Sequence, residues 1–352
     1  MEKVPASTLE TILVRSFAVK QTVMLWGAPG IGKTHVTKQV AQKCGYKVIL
    51  LPLVFMDQTD LRGIPDLARD SPVAVWRPPA LIPFKGNPNY KEGDKLLLLI
   101  DELPQAAPTL QNAVSSLIYD YRIGEFELLD SVRIVCIGNR ETDRAATFRM
   151  PTHVANRPVH VEFLFDDEEW RHWAAKNDIH ASIIAFSKFA PKDINNFDPE
   201  RKINATPRTW EFVSRYLHHH SEPDGTNLAI FKGLVGDGPA ASFIAFARLV
   251  NKVDADAIFK NPEKIRIPTE VNQLYAVCAA LIERTKTQDQ VDSTLIYSKR
   301  LFEEMERGGA EYATLILSSL ADKSAIVKHI IASKYLKQLA AHPETTEIFN
   351  KS

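Results

Sequence analysis

Eight consecutive residues near the start of the chain have the types and spacing of a phosphate-binding loop. They are Gly27, Ala28, Pro29, Gly30, Ile31, Gly32, Lys33 and Thr34, between an apolar run and a helical pattern. The glycines let backbone N–H groups turn towards phosphate oxygens, and the N-terminus of the following helix favours negative charge. In such a loop Lys33 contacts the β- and γ-phosphates, and the Thr34 hydroxyl ligates Mg²⁺. The alternative is a glycine-rich turn in which Lys33 and Thr34 occur by chance, which the strand–loop–helix context disfavours.

Two adjacent carboxylates, Asp101 and Glu102, follow the apolar run from Leu96 to Ile100. A buried strand that ends this way places them at the carboxyl edge of a parallel sheet, where ligands bind. We expect Asp101 to hold Mg²⁺ through water and Glu102 to orient and deprotonate an attacking water. Ordinary solvation of a strand end is the alternative, but the phosphate loop upstream favours the catalytic interpretation.

A third strand end carries an amide, because Asn139 follows the apolar run from Ile134 to Ile137. Such an amide can lie beside a γ-phosphate and help to position the attacking water. Taken alone, an Asn after a strand is most often a turn residue. Its place after the phosphate loop and the carboxylate pair favours the first interpretation.

The elements that must position these groups alternate between short apolar runs and helical segments up to about residue 163. This alternation predicts an α/β fold with a five-stranded parallel sheet covered on both faces. The predicted strands are Thr22–Trp26, Lys47–Leu53, Lys95–Ile100, Arg133–Ile137 and Pro158–Phe163. After residue 165 helical periodicity replaces the strand pattern, which predicts an all-helical second domain.

Local signals predict three further features of the first domain. A capping box of Ser7 and Glu10 predicts the start of the first helix. The proline-rich stretch from residue 65 to residue 88 predicts an inserted hairpin-and-helix element. A turn at Gly124 predicts a second hairpin just before the fourth strand.

Composition limits the classes of protein that remain. The 352-residue chain has 43 Lys and Arg against 43 Asp and Glu, so bulk charge does not favour coating nucleic acid or anionic membranes. Its longest aliphatic run is too short to cross a bilayer. We see no secretory signal pattern, and three widely spaced cysteines fit neither a metal site nor a disulfide framework. These features predict a cytoplasmic protein with reduced thiols.

In this order, the phosphate loop, the Asp-Glu strand end and the strand-end Asn resemble those of an AAA+ ATPase over about residues 5–220. Two arginines make the resemblance more specific. The segment around Arg157 resembles the one before the last strand in the MoxR group, where the Arg is a finger that reaches a neighbouring subunit's ATP. Arg208 resembles the second sensor of the lid in that group. It follows Thr206 and Pro207, whose types predict a helix N-cap and a first helical position.

The two predicted insertions also resemble the MoxR group. The segment from Asp60 to Gly63, with the proline-rich stretch after it, is similar to the helix-2 insert of that group. The hairpin at Gly124 is similar to its second insert. For the finger, Arg149 and Arg144 rank behind Arg157. These two and the neighbouring Arg140 can also be interpreted as residues on a solvated helix face.

The resemblance implies an organisation and a function. It implies an AAA+ ATPase core at residues 1–163, with inserts near residues 60–88 and 121–131, and a helical lid and C-terminal domain at residues 164–352. It implies ATP and Mg²⁺ as cofactors, with catalytic roles for Glu102, Asn139, Arg157 and Arg208. It also implies a homo-oligomeric ring, expected to be a hexamer, that remodels or assembles a protein client. A von Willebrand factor A-domain protein is a frequent partner of such rings.

Two other functions compete with this interpretation. The first is a nucleic-acid motor or loader, in which the inserts line a pore and Arg62 or Arg122 contacts a phosphate backbone. The zero net charge and the absence of a recognisable DNA-binding module count against it. The second is a scaffold that binds ATP and scarcely hydrolyses it, against which the intact Glu102 argues.

Overall fold

The computed structural model describes residues 1–66, 74–143, 147–220, 224–305 and 308–339. The chain divides into two compact units. The α/β unit comprises Met1–Phe165 with Asp198–Glu200, and the helical unit comprises Asp166–Phe197 with Arg201–Ser352.

The α/β unit is built on a parallel sheet of six strands, in the order β1-β10-β2-β9-β6-β3. The strands in the described residues are β1 (Lys3–Val4), β2 (Val23–Trp26), β3 (Lys47–Pro52), β4 (Ile64–Asp66), β5 (Val75–Arg77), β6 (Leu96–Asp101), β7 (Arg122–Ile123), β8 (Phe126–Glu127), β9 (Arg133–Gly138) and β10 (Val159–Phe163). The five predicted strands are confirmed, each within one residue of its expected ends.

The prediction of five strands was one short. Strand β1 has two residues, Lys3 and Val4, which pair in parallel with Glu162 and Phe163 of β10. Two residues are too few to produce a recognisable strand pattern, so pairing with β10, a contact distant in sequence, creates this strand.

Helices cover both faces of the sheet. Those of the α/β unit are α1 (Ala6–Ala18), α2 (Lys33–Lys43), α3 (Gln58–Arg62), α4 (Pro108–Asp120) and α5 (Thr152–Ala155). Leu96, Leu98 and Ile100 of β6 pack with α4 in one buried cluster. Leu97 and Leu99 point to the opposite face, because side chains alternate along a strand. All five are at most 2% exposed, which explains why β6 is apolar without alternation.

Two antiparallel hairpins lie outside the main sheet. Strands β4 and β5 pair just after α3, in the proline-rich region, and residues 67–73 between them lie outside the described residues. Strands β7 and β8 pair across the turn at Gly124, as predicted.

The start of α1 differs from the prediction. The helix begins at Ala6, and Pro5 occupies its N-cap. Ser7 therefore lies inside the first turn, and the capping box of Ser7 and Glu10 was wrong. Because β1 ends at Val4, the chain must turn immediately, and the fixed φ of Pro5 places this turn ahead of the sequence signal.

The first helix in the described residues of the helical unit is α6. Its helices are α6 (Asp167–Lys176), α7 (Ala181–Phe189), α8 (Pro207–His219), α9 (Gly225–Val235), α10 (Asp237–Asn251), α11 (Ala255–Lys260), α12 (Val271–Arg284), α13 (Gln288–Glu304), α14 (Gly309–Ala321), α15 (Ser324–Ala332) and α16 (Leu336–Leu339). The predicted helical character is confirmed. Phe186, Trp210 and Phe243 form a buried aromatic cluster with ring centroids 5.2 to 5.4 Å apart. Among the described helices, none is both long and apolar enough to cross a membrane.

Candidate active site

The predicted phosphate loop connects β2 to α2. Gly30 has a φ of +77° and Gly32 a φ of +103°, a left-handed conformation that favours glycine. Gly32 is the N-cap of α2, so the loop ends at the N-terminus of an 11-residue helix. Ala28 and Ile31 are buried. The loop therefore has the backbone conformation and the helix dipole that suit a bound anion.

Lys33 is buried, with 7% of its surface exposed. Its Nζ donates to the carbonyl oxygens of Gly27 at 2.7 Å and Ala28 at 2.9 Å, and to Oδ1 of Asn139 at 2.8 Å. The ammonium group of the loop and the amide at the end of β9 thus meet directly. The structure brings together two residues that are 106 positions apart in the sequence.

Thr34 and Asp101 also meet, with the Thr34 hydroxyl donating to Oδ2 of Asp101 at 3.2 Å. Asp101 ends β6 at the carboxyl edge of the sheet, opposite Pro52 of β3. A hydroxyl and a carboxylate are the hard oxygen ligands that Mg²⁺ prefers. The chemistry of these two residues fits a Mg²⁺ site.

Glu102 adopts a left-handed backbone conformation, with φ 58° and ψ 34°. Few residues other than glycine adopt it, and such strain is concentrated at functional sites. The backbone N–H of Glu102 donates to Oδ1 of Asp101 at 3.0 Å, which orients the Asp101 carboxylate against the start of the following turn. Glu102 is half-buried.

Gln105 is a polar residue of this edge that the sequence analysis missed. Its amide satisfies its neighbours only when its nitrogen faces the Glu102 carbonyl, at 3.3 Å, and its oxygen faces Asn139. That oxygen then accepts from the Asn139 amide group at 2.6 Å and from the Asn139 backbone N–H at 3.2 Å. No motif marks Gln105, and its position three residues after Glu102 was the only available signal.

Arg157 lies at the opposite, amino edge of the sheet. It precedes Val159, which pairs with Val23 at the start of β2, whereas the phosphate loop follows the end of β2. Its guanidinium lies 4.4 Å from the centroid of the Tyr119 ring and 4.0 Å from the Asp120 carboxylate. Its side chain is 28% exposed. Arg157 is therefore not part of the site formed by Lys33 and its partners in its own chain.

The other arginines of this region differ in their contacts. Arg140 forms ion pairs with Asp143 at 2.7 Å and Glu162 at 2.9 Å, and its hydrogen bond to Asp143 raises its pKa. These contacts hold Arg140 within its own chain. Arg149 is exposed, and Arg144 lies outside the described residues.

Arg208 belongs to the helical unit. It is exposed and is the second residue of α8. Thr206 is the N-cap of this helix and forms a reciprocal capping box with Thr209, and Pro207 is at the first helical position. The helix start predicted from Thr206 and Pro207 is confirmed.

One family model matches part of the α/β unit. A family model described as AAA domain (dynein-related subfamily) matches residues 22–142. Over these residues the chain matches an AAA domain. The match includes the phosphate loop, the end of β6 and the end of β9, which are the segments that bring Lys33 to Asn139 and Thr34 to Asp101.

Individual relatives of the AAA domain are distant. Midasin from Giardia intestinalis is 24% identical over 264 residues, which is 71% of this chain. The chain spans 5% of the length of that curated relative. The RuvB Holliday junction branch migration motor of Thermotoga maritima aligns at 13% identity and a TM-score of 0.34, covering 96% of this chain and 89% of its own. NtrX from Brucella abortus in complex with ATP aligns at 15% identity and a TM-score of 0.34, covering 88% and 67%.

Proposed function

We propose that this protein hydrolyses ATP in a reaction that depends on Mg²⁺. The observation that carries the proposal is the meeting of four side chains from three elements, Lys33 of α2 with Asn139 after β9 and Thr34 of α2 with Asp101 of β6. They meet at the carboxyl edge of a parallel sheet, where ligands of open α/β folds bind. The match of residues 22–142 to an AAA domain supports the same chemistry.

Each residue has a defined role in the proposed reaction. Lys33 and the N–H groups of the loop would bind the phosphates. Thr34 and Asp101 would hold Mg²⁺, which would supply neutralising charge to the phosphate oxygens. Glu102 accepts a proton from the attacking water while the oxygen of that water bonds to the γ-phosphorus. The bond from that phosphorus to the bridging oxygen breaks, and ADP leaves. Asn139 orients the water or the γ-phosphate through its amide.

We propose that the two domains expected from the sequence have different functions. Residues 1–163 act as the ATPase core, and residues 164–352 act as a lid and C-terminal domain. Arg208 serves as a sensor from the lid. Its exposed position at the start of α8 supports that role, because an exposed guanidinium remains available to bind an anion. The free cysteines Cys44, Cys136 and Cys278 support a cytoplasmic location.

The proposal includes a ring of identical subunits, expected to be a hexamer. Arg157 lies at the edge of the sheet opposite its own phosphate loop, so its guanidinium can act on a phosphate only if a second subunit supplies the nucleotide. Arginine suits such a role because it stays charged and its planar group matches phosphate oxygens. Arg149, which is exposed, is the next candidate.

The ring is proposed to be of the MoxR type and to remodel or assemble a partner protein, with a von Willebrand factor A-domain protein as the expected client. The hairpin after α3 and the hairpin at Gly124 support this assignment, because they lie where that group has its two inserts. The alternative function to be tested is that of a nucleic-acid motor. It predicts that DNA stimulates ATP turnover and that added salt abolishes the stimulation.

A subunit-mixing experiment tests the ring. Arg157→Ala should lower turnover by about 10³-fold or more, the scale known for arginine fingers, with little change in ATP affinity. Glu102→Gln subunits keep Arg157 but cannot activate water. Mixed with Arg157→Ala subunits, they should restore part of the activity. Arg208→Ala subunits are the matched control, since a lid arginine that serves its own site gains nothing from such a neighbour.

Native mass spectrometry shows whether mixed rings form in these mixtures, and the activity of the mixtures is interpreted in that light. If mixed rings form and no activity returns, Arg157 does not act across the interface, and the same mixture with Arg149→Ala subunits tests the next candidate. If the wild-type protein is monomeric with ATP bound, the ring proposal is wrong.

A further inference from the structure

The Asn139 amide has both of its ends occupied. Its Oδ1 accepts from Lys33 at 2.8 Å, and its Nδ2 donates to the Gln105 oxygen at 2.6 Å. An amide that donates at one end and accepts at the other has a single favourable orientation. Lys33 and Gln105 together therefore fix which way the Asn139 amide points.

Gln105 also holds Glu102. The Glu102 carbonyl accepts from the Gln105 backbone N–H at 3.0 Å and from the Gln105 side-chain nitrogen at 3.3 Å. These bonds stabilise the left-handed backbone at Glu102, which is otherwise unfavourable. One side chain thus connects the residue expected to activate water to the residue expected to orient it.

The turn that carries Gln105 is packed tightly against the end of β9. A Cβ added at Gly138 would lie 2.4 Å from the Pro104 ring, so only glycine permits this approach. The Pro104 carbonyl accepts from Phe148 N–H at 2.7 Å, and the buried Gln111 side chain donates to the Ala106 carbonyl at 3.0 Å. Because other contacts already hold the turn, the bond from Gln105 to Asn139 is not needed to keep the turn in place.

We propose that Gln105 is a positioning residue of the ATPase site, which sets the orientation of the Asn139 amide relative to Glu102. This inference rests on the proposed function. Gln105 acts through Asn139 and Glu102, so its loss affects the chemical step more than the binding of ATP. Its contribution is that of a short hydrogen bond that fixes a reacting geometry, about tenfold in turnover.

The test replaces Gln105 with Met, which has a similar length and no hydrogen-bonding amide. Gln105→Met should lower kcat about tenfold and change KM less than about twofold. Gln111→Met is the matched control, because it removes an amide that holds the same turn without contacting Asn139. It should leave kcat within about twofold of wild type. Equal losses in both variants would mean that Gln105 only supports the turn, which would overturn the proposal.

A double variant with Asn139→Ala separates positioning from general damage. If Gln105 acts through Asn139, adding Gln105→Met to Asn139→Ala should cause no further loss of kcat. Losses that multiply would contradict the proposal.

The controls distinguish this proposal from the proposed function. A wild-type protein that does not hydrolyse ATP refutes the ATPase assignment itself. An active wild type with an unaffected Gln105→Met variant refutes only the role of Gln105.

Discussion

Two lysines, one in each unit, show how differently the two parts of the molecule use a partly or fully buried charge. In the α/β unit, the Lys33 Nζ contacts two carbonyls of its own loop and an amide from the end of a distant strand. In the helical unit, the Lys323 Nζ donates to the carbonyl of Ile282 at 2.8 Å, in the last turn of α12. Burial lowers the pKa of Lys323.

The contact made by Lys323 has a structural explanation, because the last carbonyls of a helix lack partners within the helix and attract cations. The contacts of Lys33 do more than close a loop, since they connect it to Asn139 at the same edge as Thr34 and Asp101. Burial alone does not distinguish the candidate site around Lys33 from the structural contact of Lys323. The difference is that polar groups from separate elements converge at Lys33.

The same substitution at the two lysines should therefore have different consequences, and the largest is expected at Lys33. Lys33→Met should abolish Mg-ATP binding, measured by calorimetry, because it removes the main cation expected on the phosphates. Thermal unfolding should show that the fold persists. Lys43→Met is the control, since Lys43 lies at the exposed end of the same helix and pairs with Glu10 at 2.6 Å. Binding of wild-type strength in Lys33→Met would refute the phosphate-loop assignment.

A smaller effect, on stability, is expected at the start of α8. Thr206→Ala removes the hydroxyl that accepts the Thr209 N–H, so it should lower the free energy of unfolding by about 1 kcal/mol in urea titrations. Thr314→Ala, in the middle of α14, removes the same atoms without removing an N-cap. If both variants lose the same stability, the capping box does not stabilise α8.

The smallest effect is expected at Lys323. Lys323→Met removes the hydrogen bond to the Ile282 carbonyl, which lowers stability. It also removes the free-energy cost of burying a charged group, the same burial that lowers the pKa of Lys323. These two effects on stability oppose each other. The free energy of unfolding should change by less than about 1 kcal/mol, and ATP turnover should match wild type. A loss of ATP turnover in Lys323→Met with an unchanged melting temperature would contradict the contrast between the two lysines.

The parts that sequence predicted are those that local chemistry determines. The glycines near Lys33 predict the phosphate loop, and the apolar run before Asp101 predicts a buried strand that ends there. The helix start at Thr206 followed from a hydroxyl N-cap and a proline at the next position. In each case the residues that carry the signal also form the structure.

The parts that sequence did not predict depend on contacts distant in the chain. Strand β1 exists because Lys3 and Val4 pair with β10, and that pairing places the N-cap of α1 at Pro5. The contact of Gln105 with Asn139 arises where the turn after β6 packs on Gly138. No local pattern encodes an approach between two strand ends, so this contact required the structure.

The most direct test of the central claim is the ATP turnover of Glu102→Gln, measured together with its affinity for Mg-ATP. We expect an affinity within about twofold of wild type and a turnover reduced at least about 100-fold, because the side chain keeps its size and loses its ability to accept the proton. Glu141→Gln, an exposed carboxylate in the segment after β9, should behave like wild type. Turnover of Glu102→Gln within about twofold of wild type would show that another group activates the water and would contradict the account.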